Sequence, residues 1–230
     1  MTRIYDLAVI GGGSAGLLAA PLAAKLGVKV ALIEKDRPGG DCLYTGCVPS
    51  KALLRVAKAA HEIRTAGRLG LTAAPPAVDM ARVSAHIQEV ISRIYVHESP
   101  ESLRAMGVDV ILGAARFVDA QSVQAGGRLV RARRFLICTG SRPAVPPIPG
   151  LADVPHLTYE DLFSLTELPG RLLVAGGGPI GVEMGQAFRR LGSQVTLVQR
   201  GPRLLRNADP DCASILAGVL RSEGIDLRFG

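Results

Sequence analysis

The sequence predicts an α/β chain in which two β-α-β units follow one another, each opening a parallel, doubly wound sheet. Three observations carry that prediction. Residues 4–10 (IYDLAVI) form a short apolar run that meets a glycine-rich turn, an Ala/Leu-rich segment to about Leu26, and a second apolar run from Val28 to Glu34. The same order returns about 165 residues later, in Arg171–Ala175, a second glycine turn, a helical stretch to Leu191, and Gln194–Gln199. Between the two units the pattern switches from helical to strand periodicity.

The chain has 230 residues, 48% of them hydrophobic, which is enough for a sizeable core in one or two domains. Aromatic residues are scarce and Trp is absent, so Ala, Val, Leu and Ile must fill the interior. The net charge of +7 is carried by scattered arginines and not by a block, which argues against a nucleic-acid arm. Two dinucleotides would need several cations for their phosphates, which accounts for part of the excess. The apolar stretch Leu7–Ala24, preceded by Arg3, has the look of a signal peptide or a membrane span. The triplet Gly11-Gly12-Gly13 and Pro21 argue against both, and the segment resolves better as strand, turn and helix. With no export signal, the reading is cytoplasmic. In a reducing compartment a close cysteine pair is catalytic or metal-binding and not a structural disulfide.

After the opening unit, residues 39–51 read as a loop holding glycines and cysteines. A helix follows from about Val48 to Thr65, then a loop with Pro75-Pro76, and a second amphipathic helix from Met80 to about His97, ending before Pro100. From Val108 come five strand-like runs: VDVIL, ARFVD, SVQA, RLVRA and RFLICTG, with Gly126-Gly127 as a hairpin signal. The proline-rich stretch 141–156 reads as a domain boundary. It divides the chain into a dinucleotide-binding domain over 1–150 and a second over 151–230. A helix near Pro210–Glu223 and a strand from Ile225 to Phe229 close the chain.

The first turn is Gly11-x-Gly13-x-x-Gly16. Its first glycine permits the tight turn, its second lets the backbone approach a pyrophosphate, and its third lets the helix pack on the strand. The helix, opening at Ser14, offers unsatisfied N–H groups to phosphates. Glu34 ends the second strand about eighteen residues beyond Gly16, where a carboxylate accepts hydrogen bonds from ribose hydroxyls. The alternative is a purely structural glycine turn. The second turn is Gly176-x-Gly178-x-x-Gly181, with Ile180 and Glu183 in the helix that follows. Its strand ends in Gln199, followed by Arg200 and then Arg206. A carboxylate there would repel a 2′-phosphate, whereas arginines pair with one, which favours NADPH over NADH. The alternative is that both arginines are solvated surface charges.

Cys42 and Cys47 lie in GGDCLYTGCVPSK, residues 39–51. Their spacing is too wide for a CxxC motif and wrong for common zinc sites, but four intervening residues including Gly46 can fold back so that the sulfurs meet. Cys47 at a helix start would have its thiolate favoured by the dipole, and Lys51 falls on the same helical face. The alternative is two unrelated core cysteines.

This loop resembles the active-site signature of the pyridine nucleotide–disulfide oxidoreductases, the family of dihydrolipoamide dehydrogenase, glutathione reductase and mercuric reductase. The first glycine turn, LICTGSRPAVP at 136–146 and GGGPIGVE at 176–183 fit the same family in order, so the resemblance covers essentially the whole chain. The cysteine loop and HESPE at 97–101 lean toward the mercuric-reductase-like branch.

The resemblance implies two Rossmann-like domains, the first for FAD and the second for NAD(P), and a relay from NADPH through the flavin to a Cys42–Cys47 disulfide. A disulfide or metal-ion substrate would then be reduced. In it Cys47 is the charge-transfer thiol and Cys42 the interchange thiol. Lys51 resembles the lysine beside the flavin N5, Glu183 the glutamate that pairs with it, Thr139 and Gly140 the segment crossing near FAD, and Ala115 a backbone contact to adenine. Cys138 stands where Ala is common and reads as a small buried residue, and Cys212 reads as packing. His61, His86, His97 and His156 read as surface or satisfied core. Pro179 replaces an aromatic lid.

The family also has further parts: the rest of the nucleotide domain, a second FAD contact and a C-terminal dimerisation domain carrying a His–Glu pair. The chain is therefore expected to be the N-terminal part of a longer, homodimeric enzyme. Loss of such an acid–base pair alone costs about 10²–10⁴ in rate. The alternatives are a non-catalytic FAD- or nucleotide-binding module needing a separate C-terminal partner, and a transhydrogenase or NADH oxidase on the same fold, which the cysteine spacing disfavours.

Overall fold

The computed structural model describes residues 4–230, so Arg3 lies outside the described residues. In chain order the elements are β1 (Ile4–Ile10), α1 (Ser14–Lys25), β2 (Val30–Glu34), α2 (Gly40–Tyr44), α3 (Cys47–Thr65), α4 (Met80–Glu98) and α5 (Pro100–Ala105). They continue with β3 (Asp109–Leu112), β4 (Arg116–Asp119), β5 (Ser122–Ala125), β6 (Arg128–Ile137), β7 (Arg171–Ala175), α6 (Pro179–Leu191), β8 (Gln194–Gln199), α7 (Pro210–Ser222) and β9 (Asp226–Phe229). Two compact units emerge. One comprises the chain up to Pro49 together with Glu89–Glu160, and the other Ser50–Gln88 together with Asp161–Gly230.

The first unit is built on a six-stranded sheet of order β3-β2-β1-β6-β5-β4. The strands β3, β2, β1 and β6 run parallel, and β5 and β4 extend the sheet antiparallel. All five residues of β2 are buried, as a central parallel strand covered on both faces requires. Alternate residues divide between two cores. Ala31 and Ile33 join Tyr5, Ala8, Val123 and Val130 on one face, while Val30 and Leu32 join Val9, Ala20 of α1 and Leu103 of α5 on the other.

Helix α1 runs through Pro21. A proline inside a helix removes one backbone hydrogen bond and costs about 3 kcal/mol, so packing of buried Gly16 and Ala20 on the sheet must carry this helix. No described helix is long and apolar enough to cross a membrane.

Three details differ from the sequence expectation. RLVRA and the RFLI of RFLICTG are not separate strands but form one ten-residue strand, β6, which ends at Ile137. No Gly or Pro interrupts the run. It changes partner instead, pairing antiparallel with β5 over Arg128–Arg131 and parallel with β1 over Arg131–Ile137. The expected hairpin at Gly126 and Gly127 joins β5 to β6, with both residues at positive φ, 54° and 71°, as a two-residue turn matched to strand twist demands. Two short helices had no periodic signal: α2 inside the cysteine loop, and α5, which Ser99 caps by accepting the Ser102 N–H at 3.2 Å with Pro100 in the first turn. The HESPE segment thus contains a helix start.

The second unit carries the parallel sheet β7-β8-β9. Helix α6 buries Val182, Met184, Ala187, Phe188 and Leu191, and α7 buries Ala213, Ala217 and Leu220. The C-terminal ends of these helices are tied by Glu223. Its carboxylate accepts from Arg190 Nε at 2.7 Å and Nη2 at 2.6 Å, and from Gln186 Nε2 at 2.9 Å. Its backbone carbonyl accepts from Arg189 Nε at 2.7 Å. Burial alone pushes the Glu223 carboxyl up. The Arg190 fork, with His61 and Gln186, outweighs it and holds the group below the ordinary carboxylate range.

A depressed folded-state value means that this stabilisation is present above the unfolded value and is lost as pH falls through the folded one. Glu223→Gln is therefore expected to cost about 1–3 kcal/mol at neutral pH. Thermal melts of both proteins across an acid series should show the gap closing below the ordinary carboxylate range. A gap independent of pH would show that the ionised form contributes nothing.

Candidate functional site

In the first unit the turn after β1 is shaped by contacts that leave no room for side chains. Gly11 has φ +107°, its N–H donates to the Ile33 carbonyl at 2.8 Å, and a Cβ there would lie 2.2 Å from the Cys138 carbonyl oxygen. A Cβ on Gly16 would lie 1.9 Å from the Gly11 carbonyl oxygen. The Gly12 N–H donates to Glu34 Oε2 at 2.6 Å, and the other carboxylate oxygen accepts the Asp36 N–H at 2.9 Å. Glu34 is thus fixed by two backbone donors at the end of β2, with lone pairs left for further donors. Gly13 caps α1 without a side-chain bond, and no acidic residue occupies the first turn. The helix therefore presents unsatisfied N–H groups and the positive end of its dipole.

The cysteine loop is seated on this turn. The Gly39 N–H donates to the Gly12 carbonyl at 2.8 Å. Gly40, at φ +58°, lies so close that a Cβ on it would fall 2.6 Å from Gly13 Cα. Helix α2 then carries Cys42, half-buried, and α3 opens at Cys47, exposed. The two thiols are close and not bonded to each other. Tyr44, between them, donates its hydroxyl to the Pro38 carbonyl at 2.9 Å, and the Arg37 guanidinium sits 3.7 Å over its ring. Burial pushes the Tyr44 hydroxyl up to about 12, helped by Tyr95, Glu98 and Asp36 and opposed by Arg37. It keeps its proton at neutral pH and acts as a brace.

These pieces enclose a cavity of about 730 Å³. On its wall the structure gathers the sequence-derived candidates Gly11, Gly13, Ser14, Glu34, Cys42, Thr139 and Gly140. The last two follow β6, held alongside β1 by the Cys138 N–H, which donates to the Ile10 carbonyl at 2.7 Å. Gly16 lies beneath the turn, and Ala115 packs against the core of the first sheet; neither lines the cavity, nor does Cys47. Sequence reasoning missed Lys35, Asp41, Arg142 and Glu160 on the wall. Lys35 and Arg142 could have been found, since both adjoin segments already singled out; Glu160 has no local signal.

Cys138 also lines this cavity and is half-buried, not the enclosed residue expected, because the strand ends there and the chain turns along the rim. Cys212 is likewise not a packing residue. It is exposed in the first turn of α7, where its N–H donates to the capping Asp209 carboxylate at 3.3 Å. Among the described residues no group of three or more His, Cys, Asp or Glu could hold a metal.

The second unit repeats the turn. Gly176 has φ +118° and donates its N–H to the Val198 carbonyl at 2.8 Å, and a Cβ on Gly181 would lie 2.0 Å from the Gly176 carbonyl oxygen. Gly178 caps α6, Pro179 opens it, and no acid occupies its first turn. The Gly177 N–H donates to Gln199 Oε1 at 3.0 Å, the counterpart of Gly12 and Glu34. Gly178, Pro179, Leu205, Arg206, Asn207 and Ala208 line a cavity of about 630 Å³. Arg200 and Arg206 are exposed beside this turn, and Ile180 in the first helical turn is 55% exposed. Elsewhere in this unit Lys51 Nζ lies 3.0 and 3.1 Å from the two Glu183 carboxylate oxygens. The side chains are 63% and 43% exposed, so water screens the pair and it adds little stability.

Gly40→Ala forces a methyl into Gly13 and a side chain into the left-handed region. It is expected to cost about 1–3 kcal/mol, read by urea unfolding, whereas Gly70→Ala at an open turn should cost less. Equal costs would mean that the Gly13–Gly40 contact is not tight.

The comparisons agree with this geometry. The family model for pyridine nucleotide-disulphide oxidoreductases matches residues 5–230. A mercuric reductase of Lysinibacillus sphaericus is 39% identical over 226 residues, covering 98% of this chain and 41% of that protein. A dihydrolipoyl dehydrogenase of Thermus scotoductus is 36% identical over 235 residues, covering 99% and 49%. Among solved structures, the HOCl-induced flavoprotein disulfide reductase RclA of Escherichia coli superposes with a TM-score of 0.83 at 33% identity, over 98% of this chain and 49% of that one. The chain spans about half the length of the proteins it matches.

Proposed function

The chain belongs to the pyridine nucleotide-disulphide oxidoreductase family, and from that premise we propose that it binds FAD in its first unit and NADPH in its second. Electrons would pass to the Cys42–Cys47 pair and on to a small disulfide or a soft metal ion. For a disulfide, one NADPH and one proton yield NADP⁺ and two thiols. The observation that carries the reading is the common cavity wall of the first glycine turn, Glu34 and Cys42. A nucleotide-binding frame and a redox thiol share one space.

The fit to FAD is supported by the residues themselves. The open N-terminus of α1 suits a pyrophosphate, with Lys35 and Arg142 supplying positive charge on the same wall. Glu34, already holding Gly12 and Asp36 N–H groups, has acceptor capacity for ribose hydroxyls. Thr139 and Gly140 line the same wall, with Thr139 against Gly11. Bound flavin supplies the two-electron step between nicotinamide and disulfide. The chain's part is to seat the thiols beside it and to keep Tyr44 protonated as a brace. Lys51, oriented by Glu183, is the cation for the reduced ring. Gln199, Arg200 and Arg206 favour the 2′-phosphate of NADPH.

Cys47 is assigned to the flavin because it opens a helix, where a thiolate is favoured, and Cys42 to the substrate. The family's mercuric-reductase-like branch is the nearest fit for substrate class, and a homodimer in the cytoplasm the expected setting. Anaerobic titration of the FAD-loaded protein with NADPH tests the assignment. A long-wavelength thiolate–flavin band should appear, vanish in Cys47→Ser and persist in Cys42→Ser with FAD retained in both. The opposite pattern would exchange the two roles, and a flavin that NADPH leaves oxidised would sink the reading.

A further inference from the structure

We propose that Arg203 is the positioning residue for nucleotide selectivity: it clamps the turn that sets Arg206 beside the second glycine turn and so creates the preference for a 2′-phosphate. The inference rests on the NADPH reading above and names the device behind it.

The turn from 203 to 208 contains Leu205, the one non-glycine residue at positive φ among those described, at +47°. A branched side chain adopts that conformation only where its surroundings hold it there. Three contacts do so. The Leu205 N–H donates to the Gly177 carbonyl at 2.8 Å. Leu204 is buried against the glycine turn, so tightly that a Cβ on Gly177 would lie 2.7 Å from its Cδ2. Arg203 spans the far side, with Nη1 donating to the Ala208 carbonyl at 3.0 Å and Nη2 to the Arg206 carbonyl at 2.8 Å.

Of the three arginines in this stretch, Arg203 is half-buried and spends its fork on backbone, while Arg200 and Arg206 are exposed. Arg203 therefore fixes the peptide from which Arg206 projects and is not itself the phosphate ligand. Gln199 completes the arrangement. An N–H donor at Gly177 requires an acceptor, so the amide oxygen faces the turn and the amide nitrogen is left over on the side of Gly201. The position that offers acceptors in a carboxylate offers donors here. Lysine cannot replace Arg203, because an ammonium is a point donor without a planar fork to hold two carbonyls at fixed spacing.

The test is calorimetric titration of the full chain with 2′-phospho-ADP-ribose and with ADP-ribose. The unsubstituted protein should prefer the phosphorylated probe. Arg203→Lys and Arg203→Gln should each lower that preference about tenfold or more, the scale of one charge-assisted hydrogen bond, leaving ADP-ribose affinity nearly unchanged. Retained preference in Arg203→Lys overturns the clamp in favour of simple charge. Parallel weakening of both probes overturns it in favour of general structural damage, with thermal melts confirming which variants are folded. An unsubstituted chain with no preference overturns the NADPH reading, and the clamp with it.

Discussion

The contact of Gly13 with Gly40 is the constraint on which the first site depends. Two backbones meet where Gly40 has no room for a Cβ, and the Gly39 N–H closes the joint on the Gly12 carbonyl. Gly12 in turn donates to Glu34, and Gly11 lies under the Cys138 carbonyl. Four segments distant in sequence therefore converge through main-chain contacts and the Glu34 carboxylate. The cysteine loop cannot drift from the start of α1 without breaking the Gly39–Gly12 hydrogen bond and opening the Gly13–Gly40 contact.

The second unit reuses that geometry with different chemistry. Gly176 and Gly181 meet as Gly11 and Gly16 do, and Gly177 finds its acceptor at the end of the second strand as Gly12 does. Because the latch needs only one oxygen, Gln199 satisfies it as well as Glu34 does. What remains of the side chain then differs: a carboxylate leaves lone pairs, and an amide leaves N–H groups. The frame stays constant while the groups offered at the end of the second strand change from acceptors to donors.

Much of this was legible in the sequence because it follows from periodicity and steric necessity. The strand–glycine–helix–strand order, its repetition, Glu34 at its strand end and the helix beginning at Cys47 all have local causes that one residue string displays. What was not legible depends on other segments. Helices α2 and α5 are too short for a 3.6-residue period to register, although the Ser99–Pro100 cap marked the second. The continuity of β6 depends on an exchange of partners from β5 to β1, which RLVRARRFLI does not announce. Cys138 and Cys212 look alike in the sequence, and only the fold showed the first on the cavity wall with Cys42 and the second in solvent. Arg200, Arg203 and Arg206 are alike in sequence; burial and two carbonyl acceptors set the middle one apart.

The loop between the two cysteines also constrains where protons come from. Thiol–disulfide exchange needs an acid and a base in turn. Between Cys42 and Cys47 the hydroxyl-bearing residues are Tyr44 and Thr45, and both donate to backbone carbonyls, of Pro38 and Asp41. Tyr44 is moreover buried and holds its proton up to about 12, far too weak an acid at neutral pH. Both hydroxyls thus serve to hold the loop in place. Electron exchange can be built into a rigid loop because it needs only proximity and a fixed orientation. Proton transfer needs a group with a value near the working pH, and Tyr44, which braces this loop, lies far above it. On the proposed reading, the proton for thiol–disulfide exchange comes from a group other than these two hydroxyls.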